Sequence, residues 1–412
     1  MAIPPRLTAR SVTASDASLG PRPVYAVWEL TLRCDHACDH CGSRAASARP
    51  DELNTAELLD VAAQLVRLGT REVTLIGGEA YLRADAADVT RFLSDAGVRV
   101  TMQTGGLGLT LARARKLREA GMHGVGVSVD GPAAVHDVLR ARPGSHHAAL
   151  KALDVAREVG FTRTSNTQVN RLNAHLLRET AADLQAAGVQ AWRCQLTVPM
   201  GRAADRPDWI LEPWRVVEVI DTLADIQREI LEARRAAGKA PWDGFYVQLG
   251  NNLGYFGPHE QLLRNRPGGV DSHWRGCHAG FYTIGIESDG TVKGCPSLPT
   301  APYVGGNVRD LSLGAIWSHG DAMRFTRPDT RDALLDGLWG YCKGCYYAKE
   351  CRAGCNFTAH CTLGRRGNMP FCYHRATQMA RKGVRERLVS VERPAGDPYD
   401  FGRFEIVEEP IV

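Results

Sequence analysis

Cys34, Cys38 and Cys41 share one short stretch with CxxxCxxC spacing, directly after an apolar run. Thiolates so spaced can wrap one face of a cubane iron–sulfur cluster and leave its fourth iron without a protein ligand. An open iron can bind a small molecule and act on it, whereas a fully ligated cluster only passes electrons; the same division separates catalytic from structural metal sites. The alternative occupant is zinc, which favours four N or S ligands and could take its fourth from His36 or His40. A second group falls between residues 277 and 372: the compact run Cys342, Cys345, Cys351 and Cys355, with Cys277, Cys295, Cys361 and Cys372 around it; Cys194 stands alone. Two four-thiolate zinc sites are the alternative there. Residues 1–23 contain no apolar signal region, so the 12 cysteines point to metal ligation in a reducing, cytoplasmic compartment rather than to disulfides.

These groups need elements to hold them. Short apolar runs alternate with amphipathic stretches from about Val24 to Leu196, the pattern of repeated βα units on a parallel sheet. Strands are expected over 24–31, 72–76, 98–103, 124–129, 163–169 and 191–196, with helices between them that stop at glycines such as Gly69 and Gly97. Six such units predict an α/β fold, a partial (β/α)6 barrel. Active sites of these folds lie at the C-terminal ends of the strands. The first cysteines follow strand one, Gly77, Gly78 and Glu79 follow strand two, and Thr104, Gly105 and Gly106 follow strand three. Ser128 and Asp130 end strand four, Asn166, Gln168 and Asn170 end strand five, and Arg193, Gln195 and Arg202 surround strand six. Glycines admit close backbone approach to a ligand, and Glu79 can accept hydrogen bonds from an ammonium group. Ser128 and Asp130 are short enough to suit ribose hydroxyls; Arg193, Gln195 and Arg202 are candidate substrate contacts.

The CxxxCxxC loop after a first strand, followed by Gly77-Gly78-Glu79-Ala80, resembles the radical S-adenosylmethionine (SAM) superfamily, which more often has Pro at the position of Ala80. The second group resembles the SPASM extension of those enzymes. The resemblance implies that Cys34, Cys38 and Cys41 hold a [4Fe–4S] cluster whose open iron is chelated by the methionine part of SAM. It further implies that Gly77, Gly78 and Glu79 hold the methionine amine, that Thr104 lies in a ligand-binding turn, and that Ser128 and Asp130 lie at the ribose. Gly105 replaces the family's Asn. In the second group it implies two auxiliary clusters, an outer one on Cys342, Cys345, Cys351 and Cys372 and an inner one on Cys277, Cys295 and Cys355. The fourth inner ligand is left open: Cys361, or no residue, so that iron faces the substrate. The implied chemistry is reductive cleavage of SAM to a 5′-deoxyadenosyl radical that abstracts hydrogen from a substrate.

The expected division is an N-terminal arm (1–23), the partial barrel (24–237) with a long helix over 212–235, and a connecting segment (238–276) of loops. A cysteine-rich, loop-rich auxiliary cluster domain (277–375) and a C-terminal extension (376–412) complete it. A formal charge of +4 gives no field that selects nucleic acid, and no window of 18 uninterrupted apolar residues exists to span a membrane. By resemblance the substrate is a ribosomally made peptide, crosslinked or otherwise oxidised; a small molecule processed by a dehydrogenase or epimerase is the alternative. A non-catalytic electron-transfer or zinc scaffold is the reading from another class. Electrons would come from a reductant such as a flavodoxin or ferredoxin. Residues 1–23 are too short for a winged-helix leader-binding module, so a separate leader-peptide-binding protein or a groove would serve instead.

Overall fold

The computed structural model describes residues 19–265, 267, 273–327 and 335–411, so most of the expected N-terminal arm, residues 1–18, lies outside the described residues. The end of the arm packs: the Pro21 carbonyl accepts from the Trp317 indole at 3.3 Å, and that of Pro23 from the Thr70 hydroxyl at 2.8 Å.

Seven parallel strands follow one another in space as in sequence: β1 Tyr25–Thr31, β2 Glu72–Gly77, β3 Arg99–Thr104, β4 Gly124–Ser128, β5 Thr162–Val169, β6 Ala191–Leu196 and β7 Tyr246–Leu249. The helices between them are α1 Thr55–Arg67, α2 Ala86–Asp95, α3 Leu111–Glu119, α4 Ala133–Leu139, α5 Ser145–Glu158, α6 Leu177–Ala186 and α7 Val216–Ala236. Local chemistry sets their ends. Asn54 and Glu57 form a reciprocal capping box on α1, and Gly69, at φ +77°, turns the chain out of it.

Two features go beyond six βα units. The segment expected to be connecting loops contributes β7, parallel to β6, and the short helix α8 Glu260–Arg264. On the other flank the hairpin β8 Thr283–Ile286 and β9 Thr291–Lys293 joins the sheet, β8 pairing parallel with β1 and β10 Gly306–Asn307 extending the edge. The auxiliary segment therefore shares the barrel's sheet. β7 and β10 end the sheet without meeting, so the barrel is open.

Alternation along each strand divides the two faces. Trp28, Val73, Leu75, Val100, Met102, Trp192 and Val247 are wholly buried in the main core. The intervening residues Val27, Thr74, Gln103, Asn166, Arg193 and Gln248 line one common cavity, so the sheet curves around it. Cys194 is on the core face of β6, fully buried, which accounts for its isolation in sequence.

After β10 come α9 Leu313–His319, four short helices that carry or adjoin the later cysteines (α10 Gly340–Lys343, α11 Ala348–Cys351, α12 Asn356–Leu363, α13 Tyr373–Arg381), and the antiparallel pair β11 Val384–Glu392 and β12 Arg403–Pro410. No helix among the described residues is long and apolar enough to cross a membrane.

Candidate active site

The pairing of β1 with β2 slips by one residue between Glu29 and Thr31, just before the chain enters the cysteine loop. Such a bulge re-aims the following backbone. The Gly78 and Glu79 N–H groups donate to the carbonyls of Thr31 and Arg33 at 2.8 and 2.9 Å, which ties the second rim loop to the first. Here the glycines have a reason the sequence did not give. A Cβ on Gly77 would lie 2.1 Å from the Thr31 carbonyl oxygen, and one on Gly78 would lie 2.3 Å from that of Arg33 and 2.7 Å from Cys34 Cβ. They are small because they pack against the cysteine loop itself.

Glu79 is 2% exposed. Its Oε2 accepts from the Thr104 hydroxyl at 2.6 Å and its Oε1 from the Gly105 N–H at 2.6 Å. Thr104 also accepts from the Gly106 N–H at 2.8 Å, so its hydroxyl is spent on the loop. In this arrangement Thr104 acts on the site through Glu79. Gly105 leaves room for the buried His36 ring, which a Cβ would meet at 2.8 Å. Burial pushes the Glu79 carboxyl up to about 8, since its hydrogen bonds come from neutral donors.

Cys34, Asp35 and Glu79 bring their ligand atoms within 4.8 Å of one another. Burial, then the Glu79 carboxylate, pushes the Cys34 thiol up to about 12. Asp35 Oδ1 and both His36 ring nitrogens are buried without a hydrogen-bond partner. Three potential anions and unsatisfied polar atoms in one pocket fit a positively charged occupant, which would release the thiol proton on binding. The donor set at the cysteine loop thus suits a cluster together with a cationic ligand.

Asp130, fully buried, is held from three sides. Its Oδ2 receives Arg140 Nε at 2.8 Å and lies 3.2 Å from His40 Nε2, and its Oδ1 receives the Gln168 N–H at 2.9 Å. Although burial opposes ionisation, the Arg140 guanidinium and His40 hold this carboxyl well below the usual carboxylate range. Asp130 is part of the cavity wall, and through His40 and Arg140 it also fixes the cysteine loop. Arg140 also reaches Cys38 Sγ at 3.7 Å. Arg202, expected to touch substrate, instead donates to the carbonyls of Cys38 and Ala45 at 2.6 and 3.1 Å and clamps the same loop.

Ser128, Asp130, Arg193 and Gln195 line one cavity, which measures about 600 Å³. It borders the first cysteine loop at His40, Gly42 and Ser43, and Cys277, Cys295 and Cys355 line it directly. Gln103, Gln168, Gln248, Asn251 and Asn252 add a series of carboxamides. Cys342, Cys345, Cys351 and Cys372 gather elsewhere, around a small void with Tyr255, Tyr341 and Arg375, where burial pushes Cys372 up to about 12. Four converging thiols fit a closed metal site. Cys361 lies in a separate apolar cluster with Leu32, Ala45, Val198, Met200 and Tyr399, against which Cys34 and Cys41 pack.

The sequence reading passed over Arg140, Gln103, Gln248 and Tyr399. Arg140 had a signal in its spacing, four residues after His136, at the C-terminal end of the helix that follows Asp130. Tyr399 had none.

Residues 28–184 match the radical SAM superfamily, and residues 277–346 match the SPASM iron–sulfur cluster-binding domain. The chain is similar to an AdoMet-dependent heme synthase of Methanosarcina barkeri, 28% identical over 86% of this chain and 97% of that one. It is also similar to the mycofactocin maturase of Mycolicibacterium smegmatis, 29% identical over 85% and 81% of the two chains. Among solved structures, anSMEcpe with bound AdoMet and the Kp18Cys peptide superimposes with a TM-score of 0.66 at 14% identity, over 86% of this chain and 95% of that one.

Proposed function

From the premise that this chain is a radical SAM enzyme with a SPASM region and auxiliary iron–sulfur clusters, we propose that it modifies a ribosomally made peptide, forming a crosslink or another oxidative modification. Loaded with its cluster and SAM, the Cys34, Cys38 and Cys41 loop supplies reductive SAM cleavage and hydrogen-atom abstraction from a substrate C–H bond. The protein's own part is to bind, aim and exclude water. Glu79 accepts the methionine ammonium, Ser128 meets the ribose, and Arg140 with Asp130 keeps the loop in place.

The observation that carries the peptide reading is the lining of the cavity. Carboxamides of Gln103, Asn166, Gln168, Gln195, Gln248 and Asn251 line it, a group type that carries both donor and acceptor as peptide backbone does. Among them Asn166 donates to Gln103 and Arg193 to Gln248, while Asn252 is spent on the Leu196 backbone. Arg193, whose Nη2 donates to Gln248 Oε1 at 3.3 Å, brings a guanidinium to the same wall. A heme-like tetrapyrrole, suggested by the heme synthase relatives, is a broad apolar plane with carboxylate arms. Of the two arginines lining the cavity, Arg140 is already paired with Asp130, so such a ligand would be poorly served. The names of the mycofactocin maturase and of the peptide-bound neighbour agree with the peptide reading. Twelve unpaired cysteines suit a reducing cytoplasm, with a flavodoxin or ferredoxin as reductant and a separate protein presenting the leader peptide.

The deciding experiment is anaerobic reconstitution with iron and sulfide, followed by incubation with SAM, reductant and either a short peptide encoded beside the gene or an iron porphyrin. A peptide product lacking two hydrogens, formed in step with 5′-deoxyadenosine, is expected. SAM-dependent change confined to the porphyrin would overturn the peptide reading.

A further inference from the structure

The C-terminal extension reaches the centre of the molecule. Tyr399 is 7% exposed and adopts φ +60°, a conformation costly for an aromatic residue and retained only where its surroundings fix it. Its hydroxyl donates to Glu29 on β1, a buried carboxylate that also accepts from the Ser288 hydroxyl at 2.8 Å. Lys293, itself fully buried and 2.6 Å from Glu287, places its ammonium 4.2 Å from the centre of the Tyr399 ring. The next residue ties down the cysteine loop: Asp400 receives Arg44 Nε at 2.7 Å, three positions beyond Cys41, and its carbonyl accepts from Gly201 N–H at 2.7 Å. Phe401 bridges to Met200 and meets the His360 ring on α12, the helix that carries Cys361. Tyr399 lines the reaction cavity and belongs to the apolar cluster against which Cys34 and Cys41 pack.

We propose that residues 396–402 form a strap that completes the active centre, with Tyr399 as its positioning residue: the ring walls off the passage between the first cysteine loop and the inner thiols, and the Glu29 and Asp400 ties hold that wall and the loop in register. The placement explains why a strained aromatic is retained there and why a carboxylate interrupts the most buried strand. A packed wall also keeps solvent hydrogens from a reactive carbon centre. The proposal rests on the family assignment and not on the identity of the substrate.

The test uses the reconstituted full-length protein, in which clusters shield their own cysteines, and follows iodoacetamide labelling of Cys361 and Cys194 by peptide mass spectrometry. In Tyr399→Ala, Cys361 labelling should rise about tenfold or more while Cys194, buried away from the strap, keeps its wild-type rate, the mark of a local opening. Tyr399→Phe should restore protection of Cys361 yet still alter the electron paramagnetic resonance spectrum of the reduced, SAM-bound protein, because the Glu29 tie is gone. Equal acceleration at both cysteines, or at neither, or a wild-type spectrum in Tyr399→Phe, would overturn the proposal. Should Tyr399→Ala fail to fold, Asp400→Asn takes its place with the same two outcomes at Cys361 and Cys194.

Discussion

The three inner thiols line one cavity that the first cysteine loop borders through His40, Gly42 and Ser43, whereas the quartet Cys342, Cys345, Cys351 and Cys372 closes around its own void. Both arrangements mix buried and half-buried cysteines, so burial alone does not distinguish them. The difference lies in ligand number and in what faces the remaining side. A trio beside a polar cavity leaves a position for a substrate or cofactor, while a quartet against Tyr255, Tyr341 and Met369 leaves none. One chain thus holds two kinds of thiol site, set apart by a single ligand.

The sharpest way to break that contrast is to remove the first trio. Cys34→Ala, Cys38→Ala and Cys41→Ala together should take 5′-deoxyadenosine formation, measured by mass spectrometry, to background while the iron of the second group stays. Opening the quartet with Cys351→Ala should instead leave SAM cleavage running and reduce modified product by about 10- to 100-fold, the scale of lost support for a metal centre. Loss of SAM cleavage in Cys351→Ala as complete as in the triple variant would dissolve the distinction between the two kinds of site.

A smaller effect separates binding from stability within the first site. Glu79→Gln removes the negative charge that faces a cationic ligand and should weaken SAM binding by about tenfold to a hundredfold, the worth of one hydrogen bond to a charged group. The same change should help the metal-free protein. A buried carboxyl raised from 4.5 to about 8 stabilises the fold below its unfolded value, and that contribution is lost as pH rises through the folded one. Metal-free wild type should therefore lose stability between pH 4.5 and 8, by an amount on the order of a few kcal/mol, relative to Glu79→Gln, which does not titrate. Urea midpoints across that range check it; parallel curves would show that Glu79 is not the unpaired charge its surroundings make it.

Whereas the division of the later cysteines came from the family resemblance, the order of strands and the rim loops were readable from the sequence because each rests on local periodicity or short spacing. What the side chains do at the rim was not. Thr104, Asp130 and Arg202 sit where ligand contacts are expected, yet their partners are Glu79, Arg140 and the Cys38 carbonyl. A polar residue at a strand end has the same sequence signature whether it touches the ligand or the loop that does. β7 was hidden in a Gly- and Asn-rich stretch whose four-residue run is too short to show a period. Tyr399 lies 370 residues from its partner Glu29, a contact that only closure of the whole chain creates.

Cys361 offers the finest division between ligand and packing. It is fully buried, near Cys355 on α12, and its thiol is raised well above the ordinary value by burial, then by the charge of Cys355. Its neighbours Leu32, Ala45, Val198 and Met200 are apolar, and it is absent from the cavity wall that Cys277, Cys295 and Cys355 form. Cys361→Ala should therefore keep the full iron and sulfide content and cost only about 1 kcal/mol of stability, the scale of a small cavity in a packed core. Loss of iron from the inner group alone would make Cys361 its fourth ligand and turn that site from an open trio into a second closed quartet, leaving the first loop as the one place where substrate-side chemistry could occur.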